Sequence, residues 1–185
     1  MRIGIDIDDT ITESWKYLMP IYSKEFNVRI DEKTEPYYNA VKEVATFDEY
    51  IEVNRKIENI KKEVPLKKNV AIILKKLKKE GHMIIFITAR GRAYNDPYKF
   101  TKEYLDKYNV PYDKIIIDSW DKATVCKNEK IDLFIDDRPK HCEEVANSGI
   151  DVLMMETNYN KENNEIKKVK DWKEIYEYIN NKQVI

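Results

Sequence analysis

The chain has few cysteines and no long apolar run, and each absence excludes a class of protein. Its two cysteines, Cys126 and Cys142, cannot form a disulfide-dense framework, and neither lies in a C-x-x-C pair. No apolar stretch approaches the roughly 18 residues of a transmembrane helix, and Asp6 interrupts any apolar signal segment at the N-terminus. We therefore expect free thiols, a cytoplasmic location and no membrane partner.

The chain also lacks an excess of charge of either sign. Its 33 basic and 34 acidic residues give a net charge of −1, so no overall field favours polymeric nucleic acid. The lysines between Lys67 and Lys79 alternate with apolar residues at helical spacing, which is typical of the solvated face of a helix. The length of 185 residues suits one domain with a small insertion.

Short apolar runs alternate with helical patterns along most of the chain. Strands are predicted at 2–7, 83–87, 114–118, 131–135 and 151–154. Helices are predicted from Pro65 towards Gly81, over 97–109, before Gly149 and around 172–179, and the polar stretch 157–168 is expected to be a loop. This alternation predicts an α/β fold: a doubly wound, Rossmann-like parallel sheet with helices on both faces.

One helical block interrupts the alternation. Residues 14–64 are helical in pattern and rich in aromatic residues, and they lie between the first strand and the next. They therefore indicate an insertion over the edge of the sheet. We predict a core of residues 1–13 and 65–185 with a small helical insertion at 14–64.

Polar side chains gather where the predicted strands end. In chain order these are Asp6, Asp8, Asp9 and Thr10; Thr88 and Arg90; Asp118 to Lys122; and Asp136 with Asp137. Ligands of open parallel sheets bind outside the carboxyl ends of the strands, so these groups should share one site. Carboxylates this close repel one another and raise each other's pKa, which calls for a cation, a reaction or water to offset the charge.

These motifs resemble the haloacid dehalogenase superfamily of phosphohydrolases. The segments in family order are D-I-D-D-T, F-I-T-A-R, D-K-A-T-V and L-F-I-D-D-R-P, within residues 1–12 and 66–156. The combination is most similar to the 5'(3')-deoxyribonucleotidase branch and its bacterial nucleotidases. The resemblance implies a phosphomonoester hydrolase that needs Mg²⁺, with residues 14–64 as a helical cap that selects the leaving group.

The resemblance also implies a role for each motif residue. Asp6 would be the nucleophile that forms an aspartyl-phosphate, and Asp8 would be the general acid and base. Thr88 would hydrogen-bond a phosphoryl oxygen, and Lys122 would neutralise phosphate charge. Mg²⁺ would be held by Asp6, by the backbone carbonyl of Asp8 and by Asp136.

The motifs leave open how Asp137 and Asp9 contribute and which lysine faces the phosphate. Asp137 would reach the metal through water. Lys127 is a rival for the lysine role, but Lys122 is preferred because it stands in D-K-A-T-V. Asp9 stands where most family members have glycine, so it either faces solvent or joins the groups around the metal.

Two positions are candidate substrate contacts. Arg90 either contacts the phosphate or pairs with an acidic neighbour. Trp15, just past the nucleophile loop, is expected to face the site from the cap.

The substrate expected from this pattern is a small phosphorylated molecule. A nucleoside monophosphate is favoured because the aromatic cap offers flat faces to a base, and a sugar phosphate is the alternative. From a different class, a phospho-accepting signalling domain carries similar residues, but its acidic pair belongs to the first strand and here the Asp136-Asp137 pair comes late. A non-catalytic binding domain is a further alternative, weakened because every catalytic position is present.

Overall fold

A six-stranded parallel sheet forms the centre of the computed structural model, which describes residues 1–182. Its strands are β1 (Arg2–Ile5), β2 (Met83–Ile87), β3 (Lys114–Ile116), β4 (Leu133–Asp136), β5 (Asp151–Met155) and β6 (Lys168–Val169). They lie in the order β3-β2-β1-β4-β5-β6, and each neighbouring pair is parallel. The predicted α/β fold is therefore confirmed. Residues 183–185 of the predicted core lie outside the described residues.

Helices connect these strands. They are α1 (Ser14–Glu25), α2 (Tyr38–Val41), α3 (Phe47–Lys56), α4 (Glu58–Lys61), α5 (Val70–Lys79), α6 (Pro97–Lys107), α7 (Lys122–Asn128), α8 (Pro139–Asn147) and α9 (Trp172–Lys182). None of the helices in the described part of the chain has the length and apolar character needed to cross a membrane.

Alternating side chains of the strands build a core on each face of the sheet. Ile3 and Ile5 of β1 point to the face covered by α5, α6 and α9, where Trp172 is fully buried. Ile85 and Ile87 of β2 point to the opposite face, which α7 and α8 cover. The helices thus lie on both faces, as the sequence predicts.

Residues 14–64 form a cluster of their own. Its buried members, which include Leu18, Tyr22, Tyr50 and Val64, all lie within this segment. The segment joins the sheet at its two ends, where Thr12 and Leu66 form an isolated antiparallel bridge. It is held together by its own apolar contacts beside the sheet, and this position lets it form one wall of the cavity described below.

Several predicted boundaries were wrong. Helix α5 begins at Val70 rather than after Pro65, because Asn69 has a φ of 68° and interrupts the helical backbone. Strand β1 ends at Ile5, two residues early. The stretch expected to be only a loop, 157–168, runs into the short edge strand β6. Such short edge pairings depend on the neighbouring strand rather than on local sequence.

Candidate active site

The candidate site lies at the carboxyl ends of the three central strands. Strand β1 pairs with β2 on one side and with β4 on the other, so the strand order reverses there. Ligands of doubly wound sheets bind at such a reversal. Asp6 follows β1, Thr88 follows β2 and Asp136 ends β4. The sheet therefore brings together residues that are far apart in the sequence.

Three buried carboxylates meet at this point. Asp6, Asp136 and Asp137 each offer an oxygen, and these oxygens lie within 4.8 Å of one another. The Nζ of Lys122 lies 2.5 Å from Asp6 Oδ1 and 2.6 Å from Asp136 Oδ2. Lys127, the rival lysine, is exposed. The structure thus brings Lys122, rather than Lys127, to the acidic cluster.

The N-terminus of α7 delivers this lysine to the cluster. Asp121 caps the helix by accepting a hydrogen bond from the backbone N–H of Thr124. Lys122 is the first helical residue and is 1% exposed. The cap fixes where the helix begins and so directs the Lys122 side chain under the sheet edge.

The cluster carries more negative charge than one lysine neutralises. Burial raises the pKa of Asp6 well above its ordinary value; the Lys122 ammonium opposes the rise and the Asp136 carboxylate adds to it. Burial and the charge of Asp136 likewise raise the pKa of Asp137 to about 8. Burial also acts to raise the pKa of Asp136, but Lys122 and His141 outweigh it and hold that pKa low.

The donor atoms of this cluster suit a hard divalent cation. Three carboxylates offer oxygen ligands, which Mg²⁺ prefers over nitrogen or sulfur. The raised pKa values of Asp6 and Asp137 reflect a shortage of positive charge that such an ion would supply. Asp137, expected close to the metal and bound to it through water, brings a carboxylate oxygen into the same cluster as Asp6 and Asp136.

Asp8 points away from this cluster and pairs with Arg90. The Nε and Nη2 of Arg90 lie 2.8 Å and 2.7 Å from the two Asp8 oxygens, and Ser14 donates a further hydrogen bond. Burial acts to raise the pKa of Asp8, but Arg90 outweighs it and lowers that pKa. Of the two roles open to Arg90, the structure shows the pair with an acidic neighbour. Arg90 also lines the cavity described below, so a contact with the phosphate stays a prediction.

Asp9 is 2% exposed, which excludes the first of its two predicted positions, the one facing solvent. Its φ is 61°, a conformation that glycine adopts without strain, which explains why glycine suits this position. One carboxylate oxygen accepts a hydrogen bond from the backbone N–H of Trp15, and the other accepts one from the Tyr37 hydroxyl. Burial raises the pKa of Asp9 to about 7. Asp9 thus ties the loop that follows β1 to the segment 14–64.

We expect Asp9→Gly to loosen the segment 14–64 while barely changing global stability. Glycine relieves the strain at positive φ, which offsets the two lost hydrogen bonds. Exchange of the Trp15 backbone N–H, which loses its acceptor, should rise about tenfold, as followed by mass spectrometry. Asp9→Asn keeps one acceptor oxygen for the Trp15 N–H, and its amide N–H can donate to the Tyr37 hydroxyl, so this variant should exchange more like the wild type than Asp9→Gly does. Equal exchange in both variants would contradict this role.

Hydrogen bonds from two distant parts of the chain hold Asp137 in place. Its carboxylate accepts hydrogen bonds from Thr10 and from Tyr159, at 3.0 Å and 2.5 Å, and Asn160 donates to its backbone carbonyl. Tyr159 and Asn160 lie in the stretch expected to be a loop. No local pattern distinguishes them from solvent-exposed polar residues, so sequence reasoning missed their role in positioning Asp137.

A cavity of about 370 Å³ adjoins the cluster, between the sheet edge and the segment 14–64. Its volume suits a small ligand. The sheet side contributes Asp6, Asp8, Thr88 and Asp137, and aromatic side chains form much of the opposite wall. These are Tyr22, Tyr37, Tyr38, Phe47 and Tyr50 of the segment 14–64. Tyr94 and Trp120 also line the cavity, from the loops that follow β2 and β3.

The described residues that line this cavity do not include Trp15. This corrects the expectation that Trp15 faces the site. Its indole N–H donates to the carbonyl of Thr34, and its ring packs on the apolar cluster of the segment 14–64. The backbone N–H of Trp15 donates a hydrogen bond to Asp9.

Other lining residues were not found by sequence reasoning. Lys61 and Tyr94 line the cavity, as do Arg138 and His141 next to the acidic pair. His141 Nδ1 lies 3.3 Å from Asp136 Oδ2. Its position at the start of a helix beside the L-F-I-D-D-R-P motif was the one available signal, whereas Lys61 resembles any surface lysine in the sequence.

Comparisons with known proteins agree with this geometry. The family model of the 5' nucleotidase, deoxy (pyrimidine), cytosolic type C protein matches residues 1–184. A nucleotidase of Clostridium acetobutylicum is 32% identical over 182 residues, covering 95% of this chain and 92% of that protein.

Solved structures show the same fold at low sequence identity. A haloacid dehalogenase-like hydrolase of Streptococcus pneumoniae has a TM-score of 0.71 at 16% identity, covering 96% of this chain and 97% of its own. The hydrolase YfnB of Bacillus subtilis, solved with bound magnesium, has a TM-score of 0.65 at 15% identity, covering 97% and 98% of the two chains.

Proposed function

Since this chain belongs to the family of the 5' nucleotidase, deoxy (pyrimidine), cytosolic type C protein and is a phosphatase of the haloacid dehalogenase class, we propose that it is a Mg²⁺-dependent nucleotidase. It hydrolyses a nucleoside monophosphate through an acyl phosphate formed on its own Asp6. Membership in an enzyme family rules out the phospho-accepting signalling domain and the non-catalytic binding domain.

The position of Asp6 is the observation that carries this proposal. Asp6 lies at the sheet edge, in contact with Lys122 and beside two further buried carboxylates, and the cavity reaches it. Asp6, Asp136 and Asp137 would hold Mg²⁺, with the backbone carbonyl of Asp8. Bound there, Mg²⁺ would offset the repulsion between the carboxylate and an anionic phosphate and would polarise the phosphoryl oxygens.

In the proposed reaction, Asp6 attacks phosphorus and the bond to the leaving alcohol breaks, which gives an aspartyl-phosphate and the free alcohol. Asp8 protonates the leaving oxygen and then takes a proton from the water that attacks phosphorus, which releases inorganic phosphate and regenerates Asp6. Lys122 stabilises the negative charge on the transferred group, and Thr88 donates a hydrogen bond to it.

The ion pair with Arg90 sets the protonation state of Asp8 before the substrate binds. Arg90 keeps Asp8 ionised in the protein alone, since it lowers the pKa of that carboxyl. An arriving phosphate anion raises the pKa of a neighbouring carboxyl, so the substrate itself favours the protonated form of Asp8 that donates. Arg90 therefore acts by positioning Asp8.

The segment 14–64 serves as the cap in this proposal, with residues 1–13 and 65–185 as the core. Its aromatic side chains face the cavity opposite the carboxylates, where a flat nucleobase would lie while the phosphate meets Asp6. A closed cap also excludes water from the reaction.

We expect phosphate release from nucleoside monophosphates in the presence of Mg²⁺ and its loss when EDTA removes the metal ion. The test is a phosphate-release assay over ribonucleotides, deoxyribonucleotides and sugar phosphates. Mg²⁺ should also raise the midpoint of thermal unfolding, since it binds the folded chain. Release that is equally fast in EDTA would contradict the metal dependence, and faster release from sugar phosphates would favour that substrate class instead.

A further inference from the structure

A buried lysine faces the cavity from the segment 14–64. Lys61 ends helix α4, is 4% exposed and lines the cavity. Its Nζ lies 4.1 Å from the centre of the Tyr94 ring. Within residues 1–182 no carboxylate oxygen lies within 4.0 Å of this ammonium, and it makes no hydrogen bond. Lys61 is therefore a buried cation without an ion-pair partner.

Burying the Lys61 ammonium without an ion-pair partner is unfavourable unless a bound group supplies an acceptor. Burying an unpaired ammonium costs more than one ring contact returns. Burial lowers the pKa of Lys61 to about 7, although the charge of Asp8 opposes this. Asp8 itself is already held by both nitrogens of Arg90. Glu58, the other acid whose charge acts on Lys61, accepts hydrogen bonds from Asn95. Both acids are thus engaged elsewhere, and the Lys61 ammonium is left to a ligand in the cavity.

The surroundings of Lys61 restrict the chemistry of that ligand. An ammonium donates hydrogen bonds and accepts none, so its partner must offer an acceptor oxygen. The neighbouring walls are aromatic: Tyr94 lies under the ammonium, and Tyr50 and Phe47 stack with ring centres 6.0 Å apart. Flat faces beside one cation suit a flat ring that carries a carbonyl.

We propose that Lys61 is a specificity-determining residue, which donates a hydrogen bond to an acceptor oxygen on the leaving group, such as a ring carbonyl of a nucleobase. The inference rests on the proposed function. It assigns Lys61 to the leaving group and leaves the phosphate to Asp6, Lys122 and Thr88.

The test compares Lys61→Met with the wild type on two substrates. Uridine 5'-monophosphate carries ring carbonyls, whereas phenyl phosphate has a flat leaving group without one. We expect KM for uridine 5'-monophosphate to rise about 10- to 100-fold, as for the loss of a charged hydrogen bond. The kinetic constants for phenyl phosphate should stay within about twofold. An equal loss on both substrates would mean that Lys61 serves the phosphate and would overturn the proposal.

A neighbouring lysine supplies the matched control. Lys62 pairs with Glu103 and its side chain is 35% exposed. Lys62→Met removes the same charge from the adjacent position, so it should leave both substrates unchanged. Thermal unfolding of both variants separates a loss of binding from a loss of folding.

A binding measurement tests the role of Lys61 without relying on the proposed catalytic activity. Uridine has no phosphate to hydrolyse, so its affinity, measured by calorimetry, does not depend on catalysis. We expect uridine to bind the wild type about 10- to 100-fold more tightly than Lys61→Met. Equal affinities, or no binding to the wild type, would overturn the role of Lys61. Failure of the wild type to release phosphate from any monoester would instead overturn the proposed function.

Discussion

Asp6→Asn should abolish phosphate release while leaving the chain folded. An amide cannot attack phosphorus as a carboxylate does, so we expect a loss of at least ~10⁴-fold. The amide keeps the shape of Asp6 and an oxygen that accepts the hydrogen bond from Lys122. It also removes one charge from a crowded cluster, where burial raises the pKa of Asp6. The midpoint of thermal unfolding should therefore equal or exceed that of the wild type.

The assay pairs phosphate release with detection of the covalent intermediate. Wild-type protein quenched in acid during turnover should carry phosphate on Asp6, as found by mass spectrometry, and Asp6→Asn should carry none. Asp118→Asn is the matched control, because Asp118 follows β3 at the same sheet edge and contacts Trp120 rather than the acidic cluster. Near-wild-type release by Asp6→Asn would rule out the proposed mechanism.

Lys122→Met should destabilise the protein more than any other single lysine substitution on α7. The variant leaves the buried Asp6 and Asp136 carboxylates without the ammonium that contacts both. Breaking a buried ion pair from one side costs about 3–5 kcal/mol in the free energy of unfolding. Activity should fall about 10²- to 10³-fold as well, because a cation that stabilises the transferred phosphoryl group is lost.

The same helix provides the control for this prediction. Lys127 is exposed, so Lys127→Met should change the free energy of unfolding by less than about 0.5 kcal/mol. Chemical denaturation with EDTA and with Mg²⁺ adds a second comparison. Mg²⁺ should restore part of the stability lost in Lys122→Met, since it returns positive charge to the carboxylates. Equal stabilities for the two variants would contradict the role given to Lys122.

The sequence by itself determined the sheet and the residues at its edge. Apolar runs such as 83–87 alternate with helical patterns, and only a parallel sheet covered on both faces buries them all. Parallel strands end at the same edge, so Asp6, Thr88 and Asp136 had to meet there wherever the individual boundaries fell. Errors of a few residues at β1 and α5 therefore left the site intact.

Only the tertiary structure decided which partners these residues take. Arg90 meets Asp8 across 82 positions of sequence, and Tyr159 reaches Asp137 from a stretch with no regular pattern. The positive φ of Asp9 becomes visible only once the loop that follows β1 is folded. Lys61 resembles a surface lysine until the segment 14–64 packs beside the sheet and buries it.

The physical reason is the range of the forces involved. Hydrophobic periodicity and turn propensities depend on a few neighbouring residues, so the local sequence shows them. Ion pairs and cavity walls depend instead on packing between elements that are distant in the chain. The sequence therefore specified which chemistry gathers at the sheet edge. Packing specified which acid Arg90 contacts, which carbonyl accepts the hydrogen bond of the Trp15 indole and which ring lies beside Lys61.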